Sequence, residues 1–242
     1  MTRYDVLATQ AVLDLASRPD GFDVLELLHD LTTHAVSLVG VRSAGVTILN
    51  KTGQVDHLTA SDETCLRLEE DQRELGEGPC LDSTRSGNAL APVVLHTAHP
   101  DRQRWPRFTS RALRAGITSV AAVPLRTPRQ PLGALNLMSA GRVPTREDLS
   151  LAQVLADAAG VCLHHRQTLL ARDKLIGQLE TALESRIVIE QAKGVLASRL
   201  GLDVDEAFTR LRGHARSRQQ KLTELAARIA GGAIPAELDK AP

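Results

Sequence analysis

Three apolar stripes at helical spacing follow one another between Ser185 and Ile229, and they restrict this stretch to a small helical bundle. Ile189, Ala192, Leu196 and Leu200 recur at three, four and four residues, and Gly201 stops the first helix as a left-handed cap. Asp203 with Glu206 matches a capping box that starts a second helix, whose buried face is expected to be Val204, Phe208, Leu211 and Ala215. Leu222, Leu225, Ala226 and Ile229 line a third helix, which Gly231-Gly232 ends. A bundle of this size is marginal alone, so support from the preceding helix or from a second copy is expected.

The charge of the same stretch narrows its partner. Ala207–Thr223 holds five Lys/Arg and no Asp or Glu, in a chain of formal net charge +0. From Ser185 onward there are ten Lys/Arg against seven Asp/Glu, which leaves nineteen against twenty-two for residues 1–184. A basic surface without acidic compensation or i,i+4 pairing points to an anion, nucleic acid first. At about 100° per residue, Arg210, His214 and Arg218 share a face opposite Phe208 and Leu211, with Lys221 either joining them or opening the third helix. Arg212 and Arg216 flank the buried face, and Arg186 and Lys193 lie on one side of the first helix.

Upstream, Val6–Ala16 and Asp23–Leu38 read as helices, the second burying Val24, Leu27, Leu28, Leu31, Ala35 and Leu38. Val41–Leu49 and Gln54–Ser61 form a hairpin around Lys51-Thr52-Gly53. Asp62 caps a helix that runs to Leu75, and Pro79 opens another at its first position. A strand over Ala89–Leu95, a helix over Trp105–Ala115 and strands over Ile117–Leu125 and Leu132–Met138 complete an α+β pattern, an antiparallel sheet flanked by helices. Thr145 with Asp148 starts a long helical stretch, and Leu169, Ile176, Leu179 and Leu183 on it are spaced as a coiled-coil seam of about two heptads or as a face packing on its own domain. The border between the two regions falls inside that helix, around residues 165–180.

No site for catalysis declares itself: neither a Ser/His/Asp set nor paired carboxylates stand out, and the protein is expected not to be an enzyme. Cys65, Cys80 and Cys162 match neither a disulfide framework nor a zinc pattern. Reduced thiols and burial are expected for them, with Cys80 the one candidate for a pocket thiol. His96 and His99 with Asp101 read as a solvated loop rather than a metal site, and no cofactor is expected. Trp105 and Phe108, two of only five aromatic residues, are expected core anchors. The N-terminus lacks an apolar signal core and no run of about 18 apolar residues exists, so a cytoplasmic protein with no membrane partner is expected.

The motifs GEGPC (residues 76–80), RWPRF (104–108), AGITSVAAVPL (115–125) and LGALNLMSA (132–140) together resemble a GAF domain over residues 20–165, of the subtype found ahead of RNA-binding modules in actinobacterial regulators. That resemblance implies a sheet of about six strands with a cavity for a small ligand, whose identity the residues do not specify. The pattern S-R-x-x-I-x-Q-A-K-G-V-L from Ser185, then E-A-F-x-x-L-R from Glu206, resembles an ANTAR domain over residues 175–232, after a helical linker at 166–180. Ala197 departs from it, where a Met is common, as a neutral packing change. The resemblance implies a three-helix all-α module that binds RNA carrying two adjacent hairpin loops, usually as a homodimer, and prevents transcription termination. Its motif carries over to Arg186, Lys193 and Gly194 and to Ala207, Phe208 and Arg212. The remaining expected RNA contacts, Arg210, His214, Arg216, Arg218 and Lys221, rest on charge and geometry. Gly194 costs about 1 kcal/mol in a helix relative to alanine, which a close approach by RNA or another helix would explain, so Lys193 beside it is the leading single contact. The competing reading is a ligand-responsive module docking on an acidic protein.

Overall fold

The computed structural model describes residues 2–50, 52–95, 104–127 and 130–239. The chain divides into two units, Met1–Thr168 and Leu169–Pro242.

Local capping sets most element ends in the first unit. Thr2 and Asp5 close a capping box that starts α1 (Arg3–Ala16) ahead of the apolar period, which begins only at Val6. Asp23 caps α2 (Val24–Val39), and Gly40 ends it at φ 71°. The hairpin β1 (Ser43–Leu49) and β2 (Val55–Ala60) follows, its turn held by Asn50 Oδ1, which accepts from the N–H groups of Thr52 and Gln54. Asp62 accepts from the Cys65 N–H at 2.8 Å to cap α3 (Glu63–Leu75), and Pro79 opens α4 (Pro79–Ser86). Then come β3 (Leu90–Val94), α5 (Pro106–Arg114), β4 (Ser119–Arg126) and β5 (Pro131–Ser139).

The strands form an antiparallel sheet in the order β2-β1-β5-β4-β3, five strands among the described residues where the resemblance implied about six. Helices cover both faces, so the central strands are buried on both sides. Ala44, Val46 and Ile48 of β1 and Leu135 and Leu137 of β5 face α1, α2 and the Ala152–Leu163 part of the following helix. On the opposite face, Val120 and Met138 pack with Cys65, Leu68, Trp105, Phe108 and Ala112. Trp105 and Phe108 are the expected anchors, in edge-to-face contact with centroids 6.4 Å apart. The Trp105 indole N–H donates to Asp82 at 2.9 Å.

Thr145 and Asp148 close a reciprocal capping box at the start of α6 (Arg146–Leu200), a helix of 55 residues that runs through the border between the units. In the second unit its last turns pack with α7 (Val204–Ser217) and α8 (Leu222–Ala230) around Ala192, Leu196, Ala207, Leu211, Ala215, Leu225, Ala226, Ile229 and Leu238. The three-helix module is thus completed by a short C-terminal segment, which reaches this core through Leu238.

All three cysteines are buried and free. His96, His99 and Asp101 lie outside the described residues. Among the described residues, no group of three His, Cys, Asp or Glu could hold a metal. No helix among them is long and apolar enough to cross a membrane.

Candidate nucleic-acid interface

The inner face of α7 is rotated from its expected position. Ala207, Leu211 and Ala215 are the buried residues; Val204 is 47% exposed and Phe208 only half-buried. Pattern reading weights large side chains, but a close helix–helix approach selects small ones, and Ala207 and Ala215 let α7 pack tightly. Val204 sits in the first turn, at the end of the module, where Asp203 caps the helix through the N–H groups of Asp205 and Glu206.

This rotation redistributes the cations. Arg210 and His214, expected to point outward, flank the buried stripe and are half-buried. Arg212 and Arg216, expected beside the core, are exposed and follow Phe208 by four and eight residues on its ridge. Arg218 lies beyond the end of α7, and Lys221 is the residue before α8.

One contact joins the two helices into a single surface. Lys193 Nζ of α6 lies 5.3 Å from the centre of the Phe208 ring on α7, a cation–π arrangement. Arg186, seven residues before Lys193, shares its side of α6. Lys193 is less available than expected: its side chain is 13% exposed, and both carboxylate oxygens of Glu190 lie 3.0 Å from its ammonium. Gly194 is exposed, and a Cβ there would meet nothing within 4 Å, so no packing inside this chain requires a glycine.

The acid-free stretch is not free of acids in space. Glu237 of the C-terminal segment contacts Arg218 at 2.7 Å, and Glu224 lies 3.5 Å from Lys221. Asp239 makes two contacts with Arg199, at 2.5 and 2.8 Å, near this surface's own helix α6. Glu224 lies just past the acid-free stretch in sequence, whereas folding brings Glu237 to Arg218 across 19 residues of chain. Among the described residues, Arg186, Arg212 and Arg216 have no ion-pair partner. Exposed and unpaired, they are open to a phosphate.

Similarity to known proteins follows the same division of the chain. A GAF domain model matches residues 23–164 and an ANTAR domain model matches residues 177–229. Solved structures similar in fold include the GAF domain of an Acinetobacter phosphoenolpyruvate-protein phosphotransferase, 14% identical, covering 69% of this chain and 98% of that one, with a TM-score of 0.47. The GAF domain of the corresponding Coxiella burnetii protein is 13% identical and covers 69% of this chain and 96% of that one, with a TM-score of 0.45. The chromophore-binding domain of a bacteriophytochrome from R. palustris is 10% identical over 70% of this chain and 64% of that one, with a TM-score of 0.48. No curated protein matches the chain. A GAF domain implies a sensor, and an ANTAR domain implies RNA-binding antitermination regulation; both are regulatory rather than catalytic domains. With its matched region spanning more than half of the residues, the chain belongs to the GAF domain family, and it carries an ANTAR domain behind the GAF domain.

Proposed function

We propose that this protein is an antiterminator that binds RNA bearing two adjacent small hairpin loops through the surface shared by α6 and α7, under control of the GAF domain. The observation that supports this reading is the Lys193–Phe208 contact between α6 and α7, with Arg212 and Arg216 exposed on the Phe208 ridge and Arg186 on the Lys193 side of α6. Guanidinium groups bind phosphate oxygens in bidentate fashion, and unstacked loop bases accept a planar cation or an aromatic edge beside them. Arg212 and Arg216 lead this site, with Arg186 beside them. Lys193 and Gly194 form its floor, and Arg210, His214, Arg218 and Lys221 lie at its margins. Binding of a two-hairpin RNA is expected to weaken by about tenfold or more between 50 and 200 mM salt, as several released counterions require. Filter binding across that range, with duplex DNA of equal length alongside, tests the reading. Equal affinity for both nucleic acids, or affinity independent of salt, would overturn it.

The active form is a homodimer built on α6. From Leu170 to Glu184 every residue of this helix is exposed, including Leu170 at 54%, Leu175 at 54%, Ile176 at 41%, Leu179 at 61% and Leu183 at 60%. Leu169, Ile176 and Leu183 recur every seven residues, the repeat that lets two copies of one helix pair along a common seam. Covering the exposed half of each such side chain stabilises the pair by about 1 kcal/mol. Leu179→Lys combined with Leu183→Lys is expected to convert a dimer to a monomer in analytical ultracentrifugation. A wild-type chain that sediments as a monomer at 100 micromolar, with and without RNA, would remove this part of the reading.

A further inference from the structure

The sheet face that turns toward α3 and α4 carries a buried polar patch beside its apolar cluster. Ser43, Gly45 and Thr47 alternate along β1 with the apolar Ala44, Val46 and Ile48, and Asn136 lies beside Gly45 on β5. Glu69 of α3 is set onto this patch with 1% of its surface exposed. Its carboxylate accepts from the Thr47 hydroxyl at 3.0 Å and from the Asn136 amide N–H at 2.5 Å. The fit is close: a Cβ on Gly45 would stand 2.7 Å from Glu69 Oε1. One turn further along α3, Gln72 accepts from the Cys80 N–H at 2.8 Å, and a Cβ on Gly78 would stand 2.3 Å from Gln72 Oε1. Two glycines therefore make room for two buried polar side chains of one helix.

Among the described residues no cation pairs with Glu69. Its hydrogen-bond partners on β1 and β5 are the neutral Thr47 and Asn136. From α4 it faces the Cys80 thiol, which burial keeps protonated, and on α3 itself the Cys65 thiol is held neutral in the same way. Asp62 is the one further charged group of this neighbourhood, felt at Cys65. Burial raises the Glu69 carboxyl to about 7, against the downward pull of the hydrogen bonds from Asn136 and Thr47. The cluster is also incompletely paired: Asn136 Oδ1, Gln72 Nε2 and Ser43 Oγ are buried without a hydrogen-bond partner.

Of these atoms Asn136 Oδ1 is an acceptor, the complement of a proton, whereas Gln72 Nε2 is a donor and favours the ionised form. The ionised carboxylate only accepts, chiefly from the Asn136 amide N–H and the Thr47 hydroxyl, with the Cys80 thiol and the Gln72 amide also acting on it. The neutral carboxyl carries an O–H that needs an acceptor. Asn136 Oδ1 is an unused acceptor on the amide already in contact, and rotation of that amide presents it. We propose that Glu69, Asn136, Thr47 and Gln72 form a proton-operated switch, in which one proton exchanges hydrogen-bond partners and changes how α3 and α4 are held on the sheet. The GAF domain would then sense the proton itself. The switch lies wholly in the first unit, so its failure leaves RNA recognition untouched, and loss of RNA recognition leaves the switch untouched.

The sign of the effect on stability follows from the raised value. Stabilisation relative to a neutral residue is fully present below the ordinary carboxylate range and is lost as pH rises through about 7. In the full-length chain, Glu69→Gln mimics the neutral carboxyl. Thermal unfolding followed by fluorescence of Trp105, the sole tryptophan, is expected to show the wild type losing about 5 °C or more relative to this variant between pH 5.5 and 8. Carbon-13 labelling of the glutamate carboxyls in the wild type reads the proton directly. One resonance is expected to titrate within about one unit of pH 7, and Thr47→Val, which removes a donor to the charged form, is expected to move its midpoint upward. Parallel melting curves for wild type and Glu69→Gln, or a wild type in which every glutamate titrates below pH 5.5, would overturn the proposal. The labelled wild type decides it even if the glutamine variant does not fold.

Discussion

Reversing the charge of Arg212 and Arg216 together is expected to lower affinity for a two-hairpin RNA by about 100-fold near physiological salt, with the helical circular dichroism unchanged. Both side chains are exposed and neither has an ion-pair partner among the described residues, so the Glu replacements break no contact of the fold. Each reversal removes one phosphate contact and adds one repulsion. The dependence of log affinity on log salt is therefore expected to flatten by about two contacts' worth, roughly 1.4–1.8 in slope. Arg3→Glu, which reverses an exposed cation on α1, serves as the control for net charge. A double variant that binds within threefold of wild type with an unaltered salt slope would move the interface away from this ridge. Lys193→Gln is expected to have a smaller effect, since Glu190 already holds that ammonium.

The second large effect is on stability. Leu211→Ala is expected to unfold the ANTAR module while the GAF domain stays folded. Leu211 is fully buried in a core of nine residues, four of which are alanines: Ala192, Ala207, Ala215 and Ala226. The substitution removes one of only five large side chains and costs about 2–5 kcal/mol, comparable to the whole stability of so small a core. Trp105 reports on the GAF domain alone, whereas circular dichroism reports on both units. Urea unfolding by the two probes is thus expected to separate, with an early loss of helix at unchanged tryptophan midpoint. Coincident transitions at the wild-type midpoint would show that Leu211 is not the keystone of this core.

Much of this organisation is legible in the chain because it is local. Asp62 and Gly76 delimit α3, Pro79 opens α4, Thr145 and Asp148 start α6, and Gly201 and Asp203 separate α6 from α7. Each of these signals acts through backbone groups within a few residues, so neighbouring side chains suffice to specify it. α8 buries Leu225, Ala226 and Ile229 as its spacing implies, with Leu222 half-buried; α2 buries Leu27, Leu28, Leu31 and Ala35 as expected, but Thr32 and Val39 are buried where Val24 and Leu38 are only half-buried.

The harder cases were α3 and α7. In α3, Glu69 and Gln72 share a face with Cys65 and Leu68, and all four are buried. The three- and four-residue spacing from Cys65 carries that signal, but two polar side chains on a buried stripe read as solvent until the polar face of β1 is seen beneath them. In α7, alanines and larger apolar residues compete for the inner face. The choice of Ala207 over Val204 and Phe208 depends on how near the neighbouring helix comes. Charge pairing has the same origin: Glu237 and Asp239 reach Arg218 and Arg199 across 19 and 40 residues of chain.

The sequence by itself determined where the elements begin and end, the two-module order and the excess of cations in the tail, since capping groups, turns and composition act at short range. Tertiary structure alone decided which face of α7 is inward, which arginines remain unpaired and that a carboxyl lies buried without a counter-charge. Those outcomes depend on distance and burial between residues remote in the chain, and no periodicity along a single helix contains that information.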